Sequence, residues 1–195
     1  MSFRNSIIRG SLAELQVPAG RTVCVVSLGA NLASAAGGPQ HTVLQALRSL
    51  TTLSDSVLIT SSLWQTAPLE CPEGSPLFIN AVAAFVPALA QPHALLQALQ
   101  MLEAEAGRRR DGERNAARTL DLDLLLFGDE VTESATLVLP HPRMVLRRFV
   151  LAPLAELAPD LRIPGHATTV TELLRALPGQ GDIVRMNLEP GAVVL

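Results

Sequence analysis

The stretch RTLDLDLLLF, residues 118–127, constrains the fold of this 195-residue chain more than any other segment. Successive side chains of a β-strand point to opposite faces. Asp121 and Asp123 therefore share one face, and the leucines between and beside them share the other. Like charges that are neighbours on a strand repel each other, and unpaired carboxylates in an apolar environment are costly. Because the strand is nearly all apolar, we expect it to be central in a sheet, with a cationic group between the two carboxylates.

The remaining apolar pattern predicts where this strand belongs. Residues 23–29, 57–66 and 77–86 are rich in β-branched and apolar residues and indicate strands, while Pro39 and Pro92 stand in the first turns of amphipathic helices. The resulting order is β-α-β-β-α-β, which is that of the ferredoxin-like arrangement. We therefore predict an α+β fold with a four-stranded antiparallel sheet, both helices on one face, and short C-terminal helices after the last strand.

Both ends of the chain differ in character from this central part. Pro18 and Gly20 separate residues 1–20 from the first strand, so we expect an N-terminal extension that is partly disordered. Residues 21–195 are predicted to form a single domain. The segment from residue 182 onward is expected to add an edge strand.

Composition excludes several classes of protein. The formal net charge of −3 argues against a general nucleic-acid binder, which is usually strongly basic. No apolar stretch is long enough to span a membrane and no signal sequence is recognisable, so we expect a cytoplasmic protein. All 15 basic residues are arginine. The absence of lysine excludes P-loop enzymes and protein kinases, which need a lysine on the phosphates.

Arginines gather around the carboxylate strand. The groups that precede and follow it are Arg108, Arg109, Arg110, Arg114 and Arg118, then Arg143, Arg147 and Arg148. Oxygen ligands two residues apart, without nearby His or Cys, suit a hard cation such as Mg²⁺. Arginine pairs bidentately with phosphate. Together these groups predict phosphoryl transfer, in which a protein mainly positions the reactants and neutralises charge.

The segment RRRDGERNAARTLDLDLLLFGDE, residues 108–130, resembles the signature of the 6-hydroxymethyl-7,8-dihydropterin pyrophosphokinase family. That signature is an Arg-rich loop, an Arg-x-x-Asp-x-Asp core and an apolar strand ending in Phe-Gly. Four further segments resemble the family's motifs in the family's order: VSLGANL, SSLWQTAPL, LFINAV and LPHPRMVLRRFVLAPLAELAP. The resemblance covers about residues 23–159.

The resemblance implies an activity and its participants. Members transfer the β,γ-pyrophosphate of ATP to the hydroxymethyl oxygen of the reduced pterin and release AMP, in folate biosynthesis. It implies ATP as co-substrate, two Mg²⁺ ions and a monomer, with neither nucleic acid nor membrane as partner.

The resemblance also assigns roles to residues. Arg108, Arg118, Asp121 and Asp123 would be catalytic, and both aspartates would hold the metal ions. The ATP site would include Leu96, Gln100, Glu103, Arg110, Arg114, Leu124, Val138, His141 and Arg147. The pterin site would include Thr66, Ala67, Pro68, Leu69, Phe78, Asn80 and Phe149. From the residues alone, a place in the core is the favoured explanation for Phe78 and Phe149, whereas Asn80 is unusual in a strand and favours a function.

Three departures from the family pattern concern the loops. Residues 115–117, Asn-Ala-Ala, replace the usual Trp-Gly-Pro of the Arg-rich loop, Ala67 replaces the first proline of the pterin loop, and Thr136 stands where many members have an arginine. Closing loops exclude water from such sites. The alternative reading is therefore a catalytically weakened protein that binds nucleotide or pterin. A ferredoxin-like RNA-binding module is a further alternative, but the first strand has no aromatic residue and the net charge is negative. Another DxD transferase or nuclease is a third alternative, and it does not explain the other four motifs.

Overall fold

The segment in which Asp and Leu alternate forms a β-strand, as predicted. This strand belongs to the main sheet of the molecule. A computed structural model describes residues 6–108, 116–179 and 182–187. Among these residues, four α-helices pack against a mixed sheet in an α+β fold. In chain order the elements are β1 (Ile7–Arg9), β2 (Cys24–Ala30), α1 (Pro39–Leu50), β3 (Leu58–Thr60), β4 (Trp64–Thr66), β5 (Phe78–Phe85), α2 (Pro92–Glu105), β6 (Asp121–Phe127), β7 (Thr132–Glu133), β8 (Val138–Leu139), α3 (Arg148–Leu157), α4 (Val170–Ala176) and β9 (Ile183–Arg185).

The sheet has the strand order β1-β3-β5-β2-β6, with β4 beside β5 and β9 beside β4. β2 runs antiparallel to both β5 and β6. The predicted strands pair antiparallel with one another, as β3 and β4 also do with β5. β1, which was not among the predicted strands, runs parallel to β3 and makes the sheet mixed. The second predicted strand is split into β3 and β4, because the backbone N–H of Ser62 donates to Glu156 Oε2 at 2.8 Å and leaves the strand ladder.

The prediction that the carboxylate strand is central in the sheet is wrong. This strand, β6, lies at the end of the strand order. Its apolar character has another cause, which is that both of its faces are covered. Leu122 and Leu124 pack in the cluster that contains α1 and α2, and Leu125 and Leu126 pack in the cluster that contains α3. At its outer edge, Leu125 O accepts a hydrogen bond from His141 N at 2.9 Å. A strand covered on both faces is apolar wherever it sits in the sheet.

Two helical layers enclose the sheet. α1 and α2 cover one face, as predicted, through the side chains of Val43, Leu47, Leu95 and Leu99. The predicted C-terminal helices, α3 and α4, cover the other face. β5 shows why both layers are needed, because its alternate side chains enter different clusters: Ile79, Ala81, Ala83 and Phe85 on one side, Val82 and Ala84 on the other. No helix in the described ranges is both long enough and apolar enough to cross a membrane.

Part of the predicted N-terminal extension packs against the sheet, within residues 6–20. Ile7 is buried within β1, and Ser11 with Glu14 forms a capping box on a short 3-10 helix. Ser11 Oγ also donates to Leu157 O of α3 at 3.2 Å. The pairing of β1 with β3 and the burial of Ile7 connect this part of the extension to the sheet. Residues 1–5 lie outside the described ranges.

The C-terminal segment agrees with its prediction. β9 is an added strand on β4. The preceding helix, α4, is capped by Thr169, whose hydroxyl accepts from Glu172 N in a second capping box.

Candidate functional site

Three strands place a glycine, an amide and a carboxylate side by side. In the register of the sheet, Gly29 of β2 lies opposite Asn80 of β5 and, on its other side, opposite Asp121 of β6. Opposite residues in an antiparallel pair project from the same face. A Cβ atom at Gly29 would lie 2.9 Å from Asn80 Oδ1. Glycine is therefore the residue that leaves room for the Asn80 amide at this position.

The Asn80 side chain is buried and oriented. Asn80 is 4% exposed, and its Nδ2 donates to Thr66 Oγ1 of β4 at 2.8 Å. Around it lies a pocket lined by two aromatic rings, polar groups and the start of the loop after β4. The lining residues are Gly29, Thr66, Ala67, Leu69, Glu70, Cys71, Phe78, Asn80, Arg118, Asp121, Arg147 and Phe149.

This pocket gathers most of the residues predicted for the pterin. Thr66, Ala67 and Leu69 line it, and so do both predicted aromatic residues and Asn80. Pro68 is not among the lining residues. A flat heterocycle needs aromatic faces with a few fixed hydrogen-bonding groups. The pocket offers that combination.

The two aspartates of β6 are paired with arginines. Asp121 accepts from Arg108 Nη1 at 2.5 Å and from Arg118 Nη1 at 2.7 Å. Asp123 lies 3.4 Å from Arg147 Nη1. Both aspartates are partly exposed, at 22% and 30% of their side chains. Arginine guanidinium groups thus supply the positive charge that the two carboxylates require.

The arginines also contact the aromatic residues of the pocket. The Arg118 guanidinium lies over the Phe78 ring, 5.8 Å from its centroid. The Arg147 guanidinium lies over the Phe149 ring at 5.4 Å. Cation–π contacts of this kind hold a guanidinium and a ring in a fixed relation. They link the aromatic pocket to the charged cluster around the aspartates.

Glu103 of α2 contacts the charged cluster of arginines and aspartates through Arg108. It is 2% exposed, its Oε1 accepts from Leu122 N at 2.8 Å, and it pairs with Arg108. The resemblance assigns Glu103 to the ATP site. Its contacts give it a further task, which is to hold Arg108 and the beginning of β6 together.

A second cleft opens beside Asp123. Four residues predicted for ATP line it, namely Leu96, Leu124, Val138 and His141. Asp123 and Thr136 line it as well. Gln100 is exposed one turn after Leu96 on the same face of α2. Asp121 lines the aromatic pocket and Asp123 the cleft, so the aspartate pair stands where the two spaces meet.

Histidine and arginine side chains shape the electrostatics of the cleft. Burial lowers the pKa of His141, and the charges of Arg147 and Arg143 lower it further, against the opposing effect of Asp123. His141 Nδ1 accepts from Arg143 N at 3.2 Å, which places the proton of the neutral ring on Nε2. Burial, followed by the charge of Arg143, lowers the pKa of Arg147, which nevertheless stays protonated at neutral pH.

Sequence reasoning missed several residues at the site. Asn31 Oδ1 accepts from Arg118 N at 2.7 Å, and its Nδ2 donates to Pro76 O at 3.3 Å. Asn31 thus joins the Arg118 segment to the far end of the loop after β4. Glu70, which has a positive φ of 54°, and Cys71 also line the pocket. The VSLGANL motif contained the available signal, because a glycine and an asparagine end an otherwise apolar strand there.

The residues present fit Mg²⁺ bound together with substrate phosphates. No cluster of three or more His, Cys, Asp or Glu side chains suited to a metal is found in the described part of the chain. Two adjacent carboxylates are what Mg²⁺ commonly takes from a protein when phosphates and water supply its remaining oxygen ligands. Arg110 and Arg114, both predicted for the ATP site, lie outside the described residues, as does Asn115.

Comparison with known proteins agrees with this geometry. The family model described as 7,8-dihydro-6-hydroxymethylpterin-pyrophosphokinase (HPPK) matches residues 25–159. A Pseudomonas aeruginosa protein named 2-amino-4-hydroxy-6-hydroxymethyldihydropteridine pyrophosphokinase is 45% identical over 157 residues, covering 80% of this chain and 92% of that protein. A Haemophilus influenzae protein of the same name is 40% identical and covers 77% of this chain and 89% of that protein.

Longer proteins contain the same unit. The folate synthesis bifunctional protein of Arabidopsis thaliana is 38% identical over 68% of this chain, which matches 26% of that protein. Among solved structures, wild-type Plasmodium falciparum HPPK-DHPS superposes with a TM-score of 0.58 at 13% identity, covering 83% of this chain. This chain spans 45% of the length of that structure, and the likeness concerns the fold alone. The family match and the two bacterial relatives show that the chain belongs to the 7,8-dihydro-6-hydroxymethylpterin-pyrophosphokinase family.

Proposed function

We propose that this protein transfers pyrophosphate from ATP to 6-hydroxymethyl-7,8-dihydropterin, giving AMP and the pterin diphosphate in folate biosynthesis. The observation that carries the proposal is the position of Asp121 and Asp123, which join the aromatic pocket to the cleft. A pterin in the pocket and ATP in the cleft would bring the hydroxymethyl oxygen and the triphosphate to this junction. Holding two reactants in such a relation is a large part of catalysis.

The pterin pocket supplies recognition. Asn80 offers an amide whose orientation is set by Thr66, and an amide presents both donors and an acceptor to the edge of a heterocycle. Phe78 and Phe149 offer ring faces, and a guanidinium already covers one face of each ring. We assign the ring to the space between these residues, with its hydroxymethyl group towards Asp121.

The charged cluster supplies the transfer step. The hydroxymethyl oxygen attacks the β-phosphorus, the bond from that phosphorus to the α,β-bridging oxygen breaks, and AMP leaves. Asp121 and Asp123 would hold two Mg²⁺ ions, which neutralise charge on the triphosphate when bound. Arg108 and Arg118 are placed to stabilise the group in transfer once phosphate competes for their guanidinium groups.

The cleft supplies the nucleotide site. Leu96, Leu124 and Val138 give it apolar walls, and His141 gives it a polar group. Gln100, exposed one turn after Leu96 on α2, would contact a nucleotide that extends beyond the cleft. Arg143 adds a cationic group near His141 of the cleft. Its Nη1 is buried and has no hydrogen-bond partner among the described residues. A phosphate would satisfy that donor.

We further infer that the core is a ferredoxin-like sheet extended by additional strands. The order of its four predicted strands, with β3 and β4 counted as one, supports this, as do α1 and α2 on a single face. We also propose a cytoplasmic monomer. Sedimentation at several protein concentrations would test the oligomeric state.

Product analysis tests the proposed function. Purified protein is incubated with ATP, with and without the pterin, in Mg²⁺ and again in EDTA. The proposal predicts AMP only when both pterin and Mg²⁺ are present. ADP as the product would instead indicate transfer of a single phosphoryl group. Tight binding of ATP and pterin without any nucleotide product would favour the catalytically weakened alternative.

A further inference from the structure

A short C-terminal segment, residues 182–186, is attached to the strand that leads into the pterin pocket; we call it the C-terminal strap. It lies beyond the region that the family model matches, which ends at residue 159. Its strand, β9, pairs antiparallel with β4, with Gln65 opposite Val184 and Thr66 opposite Ile183. β4 has three residues and pairs with β5 on its other side. The strap thus makes β4 an interior strand.

Hydrogen bonds extend the pairing past both ends of β4. Met186 N donates to Leu63 O at 2.8 Å, and Ala67 N donates to Asp182 O at 3.0 Å. Ala67 is the first residue of the loop that lines the pocket. The strap therefore fixes the backbone at the point where the chain leaves the sheet and enters the site.

Arg185 ties the strap to a second element. Its Nε donates to Ser62 Oγ at 2.8 Å and lies 3.1 Å from Glu156 Oε1. The other oxygen of Glu156 accepts from Ser62 N at 2.8 Å. Glu156 belongs to α3, the helix whose first turn carries Phe149 of the pocket. The strap, β4 and α3 are thus joined on the side of β4 away from β5.

Two of the residues that the strap holds, Thr66 and Ala67, line the aromatic pocket. Thr66, paired with Ile183 of the strap, carries the hydroxyl that orients Asn80. The loop that follows contains Pro68, Pro72, Gly74 and Pro76 and no strand or helix of its own. Its far end is tied through Pro76 O to Asn31. Its near end depends on the bond from Ala67 to the strap.

We propose that the C-terminal strap is a positioning element for pterin recognition, which sets the affinity for the pterin without taking part in ATP binding or in the transfer step. This inference rests on the proposed function, because it concerns the substrate pocket of that reaction. The cleft assigned to ATP contains no residue of the strap. Loss of the strap should therefore affect one substrate and spare the other.

A single amide offers a sharp test. Bonded pairs alternate along an antiparallel ladder, so the bonds at Leu63/Met186 and Ala67/Asp182 place the intermediate bonded pair at Gln65 and Val184. Val184→Pro removes that N–H donor. Val184→Ala is the matched control, because it also replaces the exposed valine side chain but keeps the backbone N–H.

Steady-state kinetics and direct pterin binding, in the presence of a non-hydrolysable ATP analogue, are measured for both variants. For Val184→Pro, loss of one net hydrogen bond predicts that KM and Kd for the pterin rise about fivefold. KM for ATP and kcat should stay within about twofold, as when only ground-state binding is lost. Val184→Ala should match the parent protein in all four quantities.

Two results would overturn the inference: unchanged pterin affinity in Val184→Pro, or a parallel loss of ATP affinity, kcat and thermal stability, which would mean a general structural role. The test does not depend on turnover. If the parent protein released no AMP, the proposed function would fail, and the pterin Kd of the two variants would still decide the role of the strap.

Discussion

Gly29→Ala is the substitution that tests the pterin pocket most sharply. The new Cβ would lie 2.9 Å from Asn80 Oδ1, whereas ordinary contact begins at 3.4 Å, so the amide has to retreat by about 0.5 Å. Asn80 is buried and bonded to Thr66 at 2.8 Å, so this movement weakens that bond. Overpacking and a weakened hydrogen bond together should lower the free energy of unfolding by about 2–3 kcal/mol.

The same movement displaces the group assigned to the pterin edge. We expect KM for the pterin to rise about tenfold, since a polar contact worth about 1.4 kcal/mol corresponds to that factor. KM for ATP should be nearly unchanged. Gly179→Ala is the control, because no heavy atom of the described residues lies within 4 Å of a Cβ added there. Urea denaturation and steady-state kinetics give the two readouts.

A double variant separates the clash from any other effect of the added methyl group. In an Asn80→Ala background the amide is gone, so Gly29→Ala should then cost less than about 0.5 kcal/mol. The reasoning would be refuted if Gly29→Ala were as costly in that background as in the parent protein. It would also be refuted if the single variant bound pterin normally.

Three further predictions concern the charged residues. Asp121→Ala should abolish Mg²⁺-dependent AMP formation while the exposed Asp129→Ala does not, and normal turnover of the first variant would end the metal assignment. Glu103→Ala should lower the urea-derived stability by about 2 kcal/mol because it leaves Leu122 N–H without its acceptor, and an unchanged midpoint would contradict this. The pKa of His141 is lowered in the folded state, so the unfolded chain binds more protons and stability should fall as pH drops from about 6.5 towards the folded-state pKa. His141→Gln should flatten that part of the stability–pH curve, and a curve identical to that of the parent protein would show that His141 does not cause it.

Local patterns in the sequence predicted the core elements. Period-two alternation placed Asp121 and Asp123 on one face of a strand, and prolines at first helical turns located the starts of α1 and α2. These signals are local, because they depend on residues within one turn or one pleat. The family motifs added the grouping of the pocket residues, which no periodicity in the chain reveals.

Features that depend on distant partners were not predictable. β6 is apolar because helices cover both faces, and hydrophobicity alone does not reveal that it lies at the end of the strand order. β1 has three residues, and its pairing with β3 has no local signature. The roles of Gly29 and Asn31 follow from neighbours on other strands and loops. The motif that contains them therefore indicated that these residues matter but not which residues they contact.

The fate of the β-phosphate tests the central claim most directly. ATP that carries radiolabelled phosphorus at the β-position is incubated with the protein, Mg²⁺ and the pterin, and the products are separated. The account predicts that the label leaves the nucleotide and appears in the pterin product, with unlabelled AMP formed in equal amount. Label that remains on ADP would contradict pyrophosphate transfer at this site.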